Sequence, residues 1–380
     1  MTSITPATRG QVAPDRHVPA EVTCSRVEPL MGRIGVTRIA DVTQLDCTGI
    51  CVHQVIRPNA RSLSVSQGKG LRAVDSRVSA MMESLEVWHA EEVVAAVPGR
   101  SAAQLASRLS YDVMALHLVR MSLLTRQVLL DWLPAETLPG REPTFVPHRA
   151  VSLDLRVDDR WSLPLFAPTS DGLASGNTAS EAELHALLEV VEREAVARWR
   201  ARGSVAPLPQ ATAHGIGEQS AALLDRLEAA GLSWRAWDCT GPADLPCYLV
   251  TVSSEFFLRQ TAGGSGCHPE PDVALRTAIL EAVQARVAAI AGSRDDLRLQ
   301  WLEWRPPPAG TAPRPRRPLA AASGGPAPSV ADESRTRERV SDVAERIRRQ
   351  AGHDPIVVDL TSSMRVPVVK VVAPGLRRPG

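Results

Sequence analysis

The stretch that decides the fold runs from Gly176 to Arg193 and reads GNTASEAELHALLEVVER. Taken as one helix at about 100° per residue, with Asn177 at the origin, Glu181 falls near 40°, Glu192 near 60° and Glu189 near 120°. One amide and three carboxylates then share roughly a third of the helix surface. Leu184, Leu187, Leu188 and Val191 form an apolar stripe centred at about 330°, so the acid arc begins at the edge of the buried face, where a cleft wall would lie. Like charges at this spacing repel unless a cation sits among them. Carboxylate oxygens suit a hard ion such as Mg²⁺. The same spacing also gives ordinary surface ion pairs, Glu189 with Arg193 and Glu194 with Arg198, so this helix alone leaves both readings open.

Two further helices carry comparable groups. Ser79, Glu83 and Glu86 fall within about 60° of each other on a helix expected over Ala73–Val94. Glu281, Gln284 and Arg286 lie on a helix expected over Val273–Ala291, with Arg286 about 200° round from Gln284. From a regular helix those two cannot both face one pocket unless the arginine wraps. Each helix follows a stretch bearing Gly or Ser (SQGKG, SDGLASGN, GGSGCH) that reads as a loop able to bring backbone N–H groups close to phosphates. None matches a P-loop, a GxGxxG, an HExxH or a GxSxG.

The bulk numbers set bounds. A chain of 380 residues with 44% apolar and 22% charged residues is ordinary for a globular protein and long enough for two subdomains. The net charge of +1 gives no basic field, so nucleic-acid binding has no electrostatic footprint. Of 43 basic side chains only Lys69 and Lys370 are lysines. Where arginine is the default, Lys69 in SQGKG marks a site that wants a compact point charge. The six cysteines form no CxxC pair and no zinc-like spacing, so free thiols in a reducing, cytoplasmic setting are expected. No apolar run is long enough for a transmembrane helix, and the N-terminus is no secretory signal.

Along the chain, residues 1–30 read as a flexible N-terminal segment. VTRIADVT and GICVHQVI read as two strands with a turn at Thr48-Gly49. Two more helices are expected at Ala102–Leu109 and Asp112–Leu130. VSLDLRV, WSLPLFAPTS, LSWRAWDCT and PCYLVTVSS read as strands. Residues 305–331 are a Pro/Gly/Ala-rich linker or excursion, and a polar helix follows over Asp332–Gln350. PIVVDLT and VPVVKVVAPGL close the chain as strands returning to the main sheet. No internal repeat of fixed period is visible.

Several pieces in one order resemble the YcaO family of ATP-dependent amide-activating enzymes: GVTRIADVT, RPNARSLSVSQGKG, SAMMESLEVWHAE, GLASGNTASEAELHALLEVVERE, GSGCHPEPDVALRTAILEAVQAR and AGSRDDL. They cover most of Gly35–Leu297, and the likeness resumes at Pro355–Leu376. The resemblance implies an α+β fold, with mixed and antiparallel sheets flanked by helices that form an ATP cleft. Its catalytic domain would run over 31–304 and be completed by 332–380. It implies ATP and Mg²⁺ as cofactors, with Mg²⁺ held by Glu83, Glu86, Glu181, Glu189 and Glu192. Ser79, Asn177, Arg193, Gln284 and Arg286 would touch the nucleotide, with Lys69 as a phosphate contact.

The resemblance also implies the reaction. A nucleophile adds to a peptide amide carbon, the oxyanion attacks the γ-phosphoryl group, and phosphate leaves with the former amide oxygen. The enzyme must position two reactants and neutralise charge, so no Ser-His-Asp or Cys nucleophile is required. In the family an adjacent Cys, Ser or Thr gives an azoline, a backbone amide gives an amidine ring, and sulfide with a TfuA-like partner gives a thioamide. Azoline-forming members carry a PxPxP tail, which VVAPGLRRPG lacks. Thioamidation of a ribosomally made precursor peptide or a protein is therefore the expectation, with a TfuA-like partner, a sulfur donor and a homodimer. An azoline cyclodehydratase and a non-catalytic nucleotide-binding scaffold stand as alternatives. His268 is either a phosphate or proton-transfer group or a loop histidine. Cys267 is either a sulfur carrier or a small buried residue.

Overall fold

In the computed structural model of the chain, residues 16–156, 164–203, 206–254, 261–293 and 332–376 are described. The elements in chain order begin with α1 (Ala20–Val27), β1 (Arg38–Asp41), β2 (Cys51–Ile56), β3 (Val65–Gly70) and α2 (Ala73–Glu92). Then come β4 (Val97–Ser101), β5 (Leu129–Thr137), β6 (Pro143–Pro147), β7 (Leu173–Ser175) and α3 (Ala179–Ala201). There follow α4 (Gln210–His214), α5 (Glu218–Ala229), β8 (Ser233–Asp238), β9 (Cys247–Ser253), β10 (Ala262–Cys267) and α6 (Pro271–Ala291). The chain closes with α7 (Glu333–Ala351), β11 (Ile356–Asp359) and β12 (Val368–Val372).

The strands form three sheets. Two are three-stranded antiparallel meanders, β1-β2-β3 and β8-β9-β10, each followed directly by a long helix packed on its last strand. The third is six-stranded, ordered β4-β5-β11-β12-β7, with β6 on β5. β11 lies against β5 and β12 against β7, so the closing strands do return to the main sheet. α3 runs between that sheet, α7 and the second meander. Its flanks are therefore covered, and Glu181, Glu183 and Glu194 are buried along with its leucines. The pair Glu194–Arg198, ordinary as a surface bridge, has its carboxylate sealed in the core.

The meander-plus-helix unit occurs twice, a repeat that the sequence conceals. In β3 the Gln67 N–H donates to Glu83 on α2 at 3.3 Å; in β10 the Ser265 N–H donates to Glu281 on α6 at 3.3 Å. In each unit a glycine lets the helix touch the strand. A Cβ on Gly68 would lie 2.1 Å from Ala80 N and from Ser76 O, and one on Gly266 would lie 2.3 Å from Ala274 O and 2.8 Å from Ala278 N. SQGKG and GGSGC were expected as loops. They are strands β3 and β10, and Gly68, Gly70, Gly264 and Gly266 within them serve helix packing.

Other expectations need correcting. Residues 16–30 are not a loose segment: α1 packs on α2, and Arg72–Glu21 and Arg77–Glu28 tie the two together. No α-helix forms over 102–130. The chain there makes short 3₁₀ turns at Ala106–Arg108 and Val113–Ala115, because Leu105, Val113, Leu116 and Leu124 drop singly into the core from irregular backbone. Val151–Arg156 forms no strand, and Phe166 makes only an isolated bridge to Leu118. The Pro-rich 305–331 segment lies outside the described residues. Among the described residues no helix is long and apolar enough to cross a membrane.

Candidate functional site

A cleft of about 1040 Å³ opens between α2, α3 and α6, with β3 and the chain ahead of α1 along its rim. It is large for a single small ligand, for which roughly 300–1,000 Å³ is usual. Its floor is acidic. Glu83 and Glu86 come from α2, Glu189 and Glu192 from α3, and Glu281 from α6. Neighbouring donors anchor these carboxylates. Glu86 accepts from Ser175 N at 2.8 Å and Ser175 Oγ at 2.6 Å. Glu189 accepts from Gly172 N at 3.1 Å, and Glu192 accepts from Ser265 Oγ at 2.6 Å. Strand residues thus aim helix acids into the cleft.

Of the cations that line the cleft, Arg193 and Lys69 reach these acids. Arg193 reaches Glu189 at 3.2 Å, Glu192 at 3.6 Å and Asp171 at 3.2 Å. Lys69, on β3, spans to Glu281 on α6 at 3.9 Å. The balance still favours negative charge. Burial, then the charge of Glu83 and Glu189, lifts the Glu86 carboxyl to about 8 despite its hydrogen bonds to Ser175. Burial and the charge of Glu281 lift Glu192 to about 7, and burial raises Glu189 as well. A cation joining such carboxyls would favour their ionised form near neutrality.

Ser79 and Gln284 also line the cleft. Gln284 Oε1 is buried without a hydrogen-bond partner among the described residues, an acceptor open to a ligand's donor. Asn177 lines the cleft too, but it lies ahead of the helix and not on it: Thr178 is the N-cap, its hydroxyl accepting from Glu181 N at 3.2 Å. Glu181, three residues into this cap, folds back so that Asn177 N–H and Nδ2–H donate to its Oε2. It also accepts from His17 N and pairs with Arg16 at 3.7 Å. Glu181 is fully buried there and does not open onto the cleft. Arg286 is turned away as the helical wheel requires, and its guanidinium meets Asp46 at 3.2 Å on the far side of α6.

Several residues in the cleft or just behind it were not given a role from sequence. Arg16 and His185 enter from elements far apart in the chain, and burial, then the charges of Arg16 and His268, hold His185 well below its usual range. Asp171 stands behind Arg193. Lys370, on β12, is buried and donates to Thr169 O, and its charge favours ionised Glu189. The rarity of lysine that drew notice to Lys69 would have drawn it to Lys370.

The model of a family described as "YcaO cyclodehydratase, ATP- and Mg²⁺-binding" matches residues 67–377. An uncharacterized protein of Mycobacterium tuberculosis is 38% identical over 359 residues, spanning 92% of this chain and 80% of that protein. An "uncharacterized protein in tfuA 3′ region" of Rhizobium leguminosarum bv. trifolii is 34% identical over 296 residues, 74% of this chain and 69% of that protein. The structure of a YcaO protein from Methanopyrus kandleri bound with AMPPCP and Mg²⁺ superposes with a TM-score of 0.67 at 22% identity, covering 100% of this chain and 96% of that one.

Proposed function

This chain belongs to the YcaO family, an ATP- and Mg²⁺-binding family, and from that premise we propose that its cleft activates a peptide backbone amide by O-phosphorylation and that the nucleophile is sulfide, giving a thioamide. The observation that carries the first part is the acid floor gathered from three helices. Its buried carboxyls and the open acceptor of Gln284 fit a magnesium nucleotide: the acids match a hard cation, and the amide oxygen matches a donor such as an amino group. Glu83, Glu86, Glu189 and Glu192 would hold Mg²⁺. Ser79, Asn177, Arg193, Gln284 and Lys69 would touch ATP. Glu181 and Arg286 keep supporting roles, the first fixing Asn177 and the N-terminal approach, the second fixing α6 to Asp46. Magnesium would neutralise the triphosphate and the leaving phosphate. Arg193 and Lys69 would add positive charge around the transferring group.

The choice of sulfide is supported by the relative whose printed description places it beside tfuA. A TfuA-like protein would then be the partner. The substrate would be a ribosomally made peptide or a protein. The family's description as cyclodehydratases favours the second reading, an azoline from an adjacent Cys, Ser or Thr. Mass spectrometry separates them. Precursor peptide, ATP, Mg²⁺, sulfide and the partner should yield exchange of one oxygen for sulfur. Loss of one water without sulfide would establish the azoline instead.

The carboxyl energetics give a second test. The folded-state pKa of Glu86 and Glu192 is raised above the unfolded value, so the unfolded chain ionises first. The contribution of these two groups to metal-free stability is therefore fullest below about pH 4.5 and is lost as pH rises toward about 7 to 8. Mg²⁺-ATP reverses that loss, and at low pH it must first displace the protons. Thermal unfolding should show a larger upward shift on adding Mg²⁺-ATP at about pH 8.5 than at about pH 6. Equal shifts would mean that the acids do not hold the metal.

A further inference from the structure

Two thiols stand in contact at the edge of the cleft, and nothing above uses them. Cys267 ends β10 and Cys247 begins β9, directly opposite each other in the antiparallel register. The neighbouring His268 N–H donates to Pro246 O at 3.0 Å. Hydrogen-bonded and non-hydrogen-bonded pairs alternate, so the cysteines occupy a non-hydrogen-bonded pair, where Cα atoms stand about 4.5 Å apart and side chains are closest. That separation lies within the roughly 4.4–6.8 Å a disulfide spans. Both thiols are free.

The two differ in access. Cys267 lines the cleft at 8% exposure, whereas Cys247 is sealed behind it at 0%. Ser265 lies on the same face of β10, two residues and about 7 Å along the strand, and it holds Glu192. A thiol at Cys267 therefore borders the acids that would carry the phosphoryl transfer. The hydrogen bond shared with Cys267, then burial, pushes the Cys247 thiol far up, so Cys247 rests protonated and must give up its proton as it attacks.

We propose that Cys267 and Cys247 are a sulfur-relay pair: Cys267 accepts a sulfane sulfur from a persulfide donor and presents it to the substrate amide, and Cys247 releases the product. The proposal rests on the thioamide reading. In the loading step the Cys267 thiol and a donor persulfide give Cys267 persulfide and the donor thiol. The terminal sulfur adds to the amide carbon, and the carbonyl oxygen takes the γ-phosphoryl group. Departure of phosphate with that oxygen and the amide proton leaves a thioimidate joined to Cys267 through an S–S bond. Cys247 sulfur then attacks Cys267 sulfur. The new bond is a Cys247–Cys267 disulfide, the old S–S bond breaks with its electron pair on the carried sulfur, and the Cys247 proton goes to the substrate nitrogen. An external dithiol reduces the disulfide and resets the pair.

The experiment uses the full chain with its partner protein, precursor peptide, ATP and Mg²⁺, and compares two sulfur sources, glutathione persulfide and bulk sulfide. Loading with glutathione persulfide alone should add one sulfur atom to the Cys267 peptide. A single turnover without reductant should leave a Cys247–Cys267 disulfide. Cys267→Ser should lose turnover with glutathione persulfide and keep it with sulfide, and retained turnover shows that its ATP site is intact. Cys247→Ser should accumulate peptide covalently bound at Cys267. Cys24→Ser, on α1, should behave as wild type with both sources. The relay is overturned if Cys267→Ser matches wild type with the persulfide, if added sulfur sits on another cysteine, or if Cys267→Ser and Cys267→Ala lose both reactions. If wild type with bulk sulfide removes water and inserts no sulfur, the thioamide reading itself has failed, and the relay goes with it.

Discussion

Glu192→Gln should reduce ATP-dependent peptide modification by about 10³-fold, the size seen when a transition-state charge partner is removed. Glu192 has its Oε1 on Ser265 Oγ at 2.6 Å and an ion pair to Arg193 at 3.6 Å, at the centre of the acid floor. Glutamine keeps the shape and one acceptor, so Ser265 retains its bond. What is lost is the charge that Mg²⁺ would meet. The folded protein should not suffer: burial raises the Glu192 carboxyl to about 7, so ionising it above the unfolded value costs stability that glutamine does not incur. The metal-free variant should therefore melt no lower than wild type near pH 8, while turnover collapses and more Mg²⁺ is needed for whatever remains. Intact peptide processing in this variant would make the chain a nucleotide-binding scaffold with no catalytic role of its own.

Gly68→Ala should be strongly destabilising, at about 3 kcal/mol. The added Cβ would lie 2.1 Å from two backbone atoms of α2, and backbone cannot swing aside as a side-chain tip can. α2 would have to lift off β3, carrying Glu83 and Glu86 with it. The variant should unfold at lower denaturant and lose much of its stabilisation by Mg²⁺-ATP together. Gly263→Ala is the control, because its Cβ meets nothing nearer than 3.8 Å. If the two variants melt alike, the close strand–helix contact is not what sets the α2 wall.

The sequence made the longest helices legible because long periodic stretches leave little choice: α2, α6 and α7 fall within two residues of their expected ends, whereas α3 starts later than expected and runs on to Ala201, past Arg193. That start was misplaced because Asn177 and Glu181 were read for their side-chain chemistry, when Thr178 to Glu181 is also a capping pattern. The glycines of SQGKG and GGSGC suggested loops. Only the three-dimensional contact shows that they admit a helix onto a strand. The wheel did foresee that Arg286 and Gln284 diverge, and Asp46 is what arginine found on the other side. His185 lies within the acid arc of α3 and could have been read there, but Arg16 reaches the cleft by tertiary packing, which no local periodicity records.

The doubled meander-and-helix unit has a further consequence. α2 and α6 enter the cleft from two copies of one unit on either side of α3, but a nucleoside triphosphate has a head and a tail. Without some difference between the walls, it could enter in either sense with nearly equal energy, and half of those encounters would aim the reactive phosphate the wrong way. The walls match at Glu83 and Glu281, each accepting from its own strand. Three residues on, they part: Glu86 in one, Gln284 in the other. One atom replaced by its neighbour in the periodic table, oxygen by nitrogen, removes a full charge from one wall and gives the chamber a polarity. Exchanging the two residues, Glu86→Gln with Gln284→Glu, would invert that polarity without altering the composition of the site.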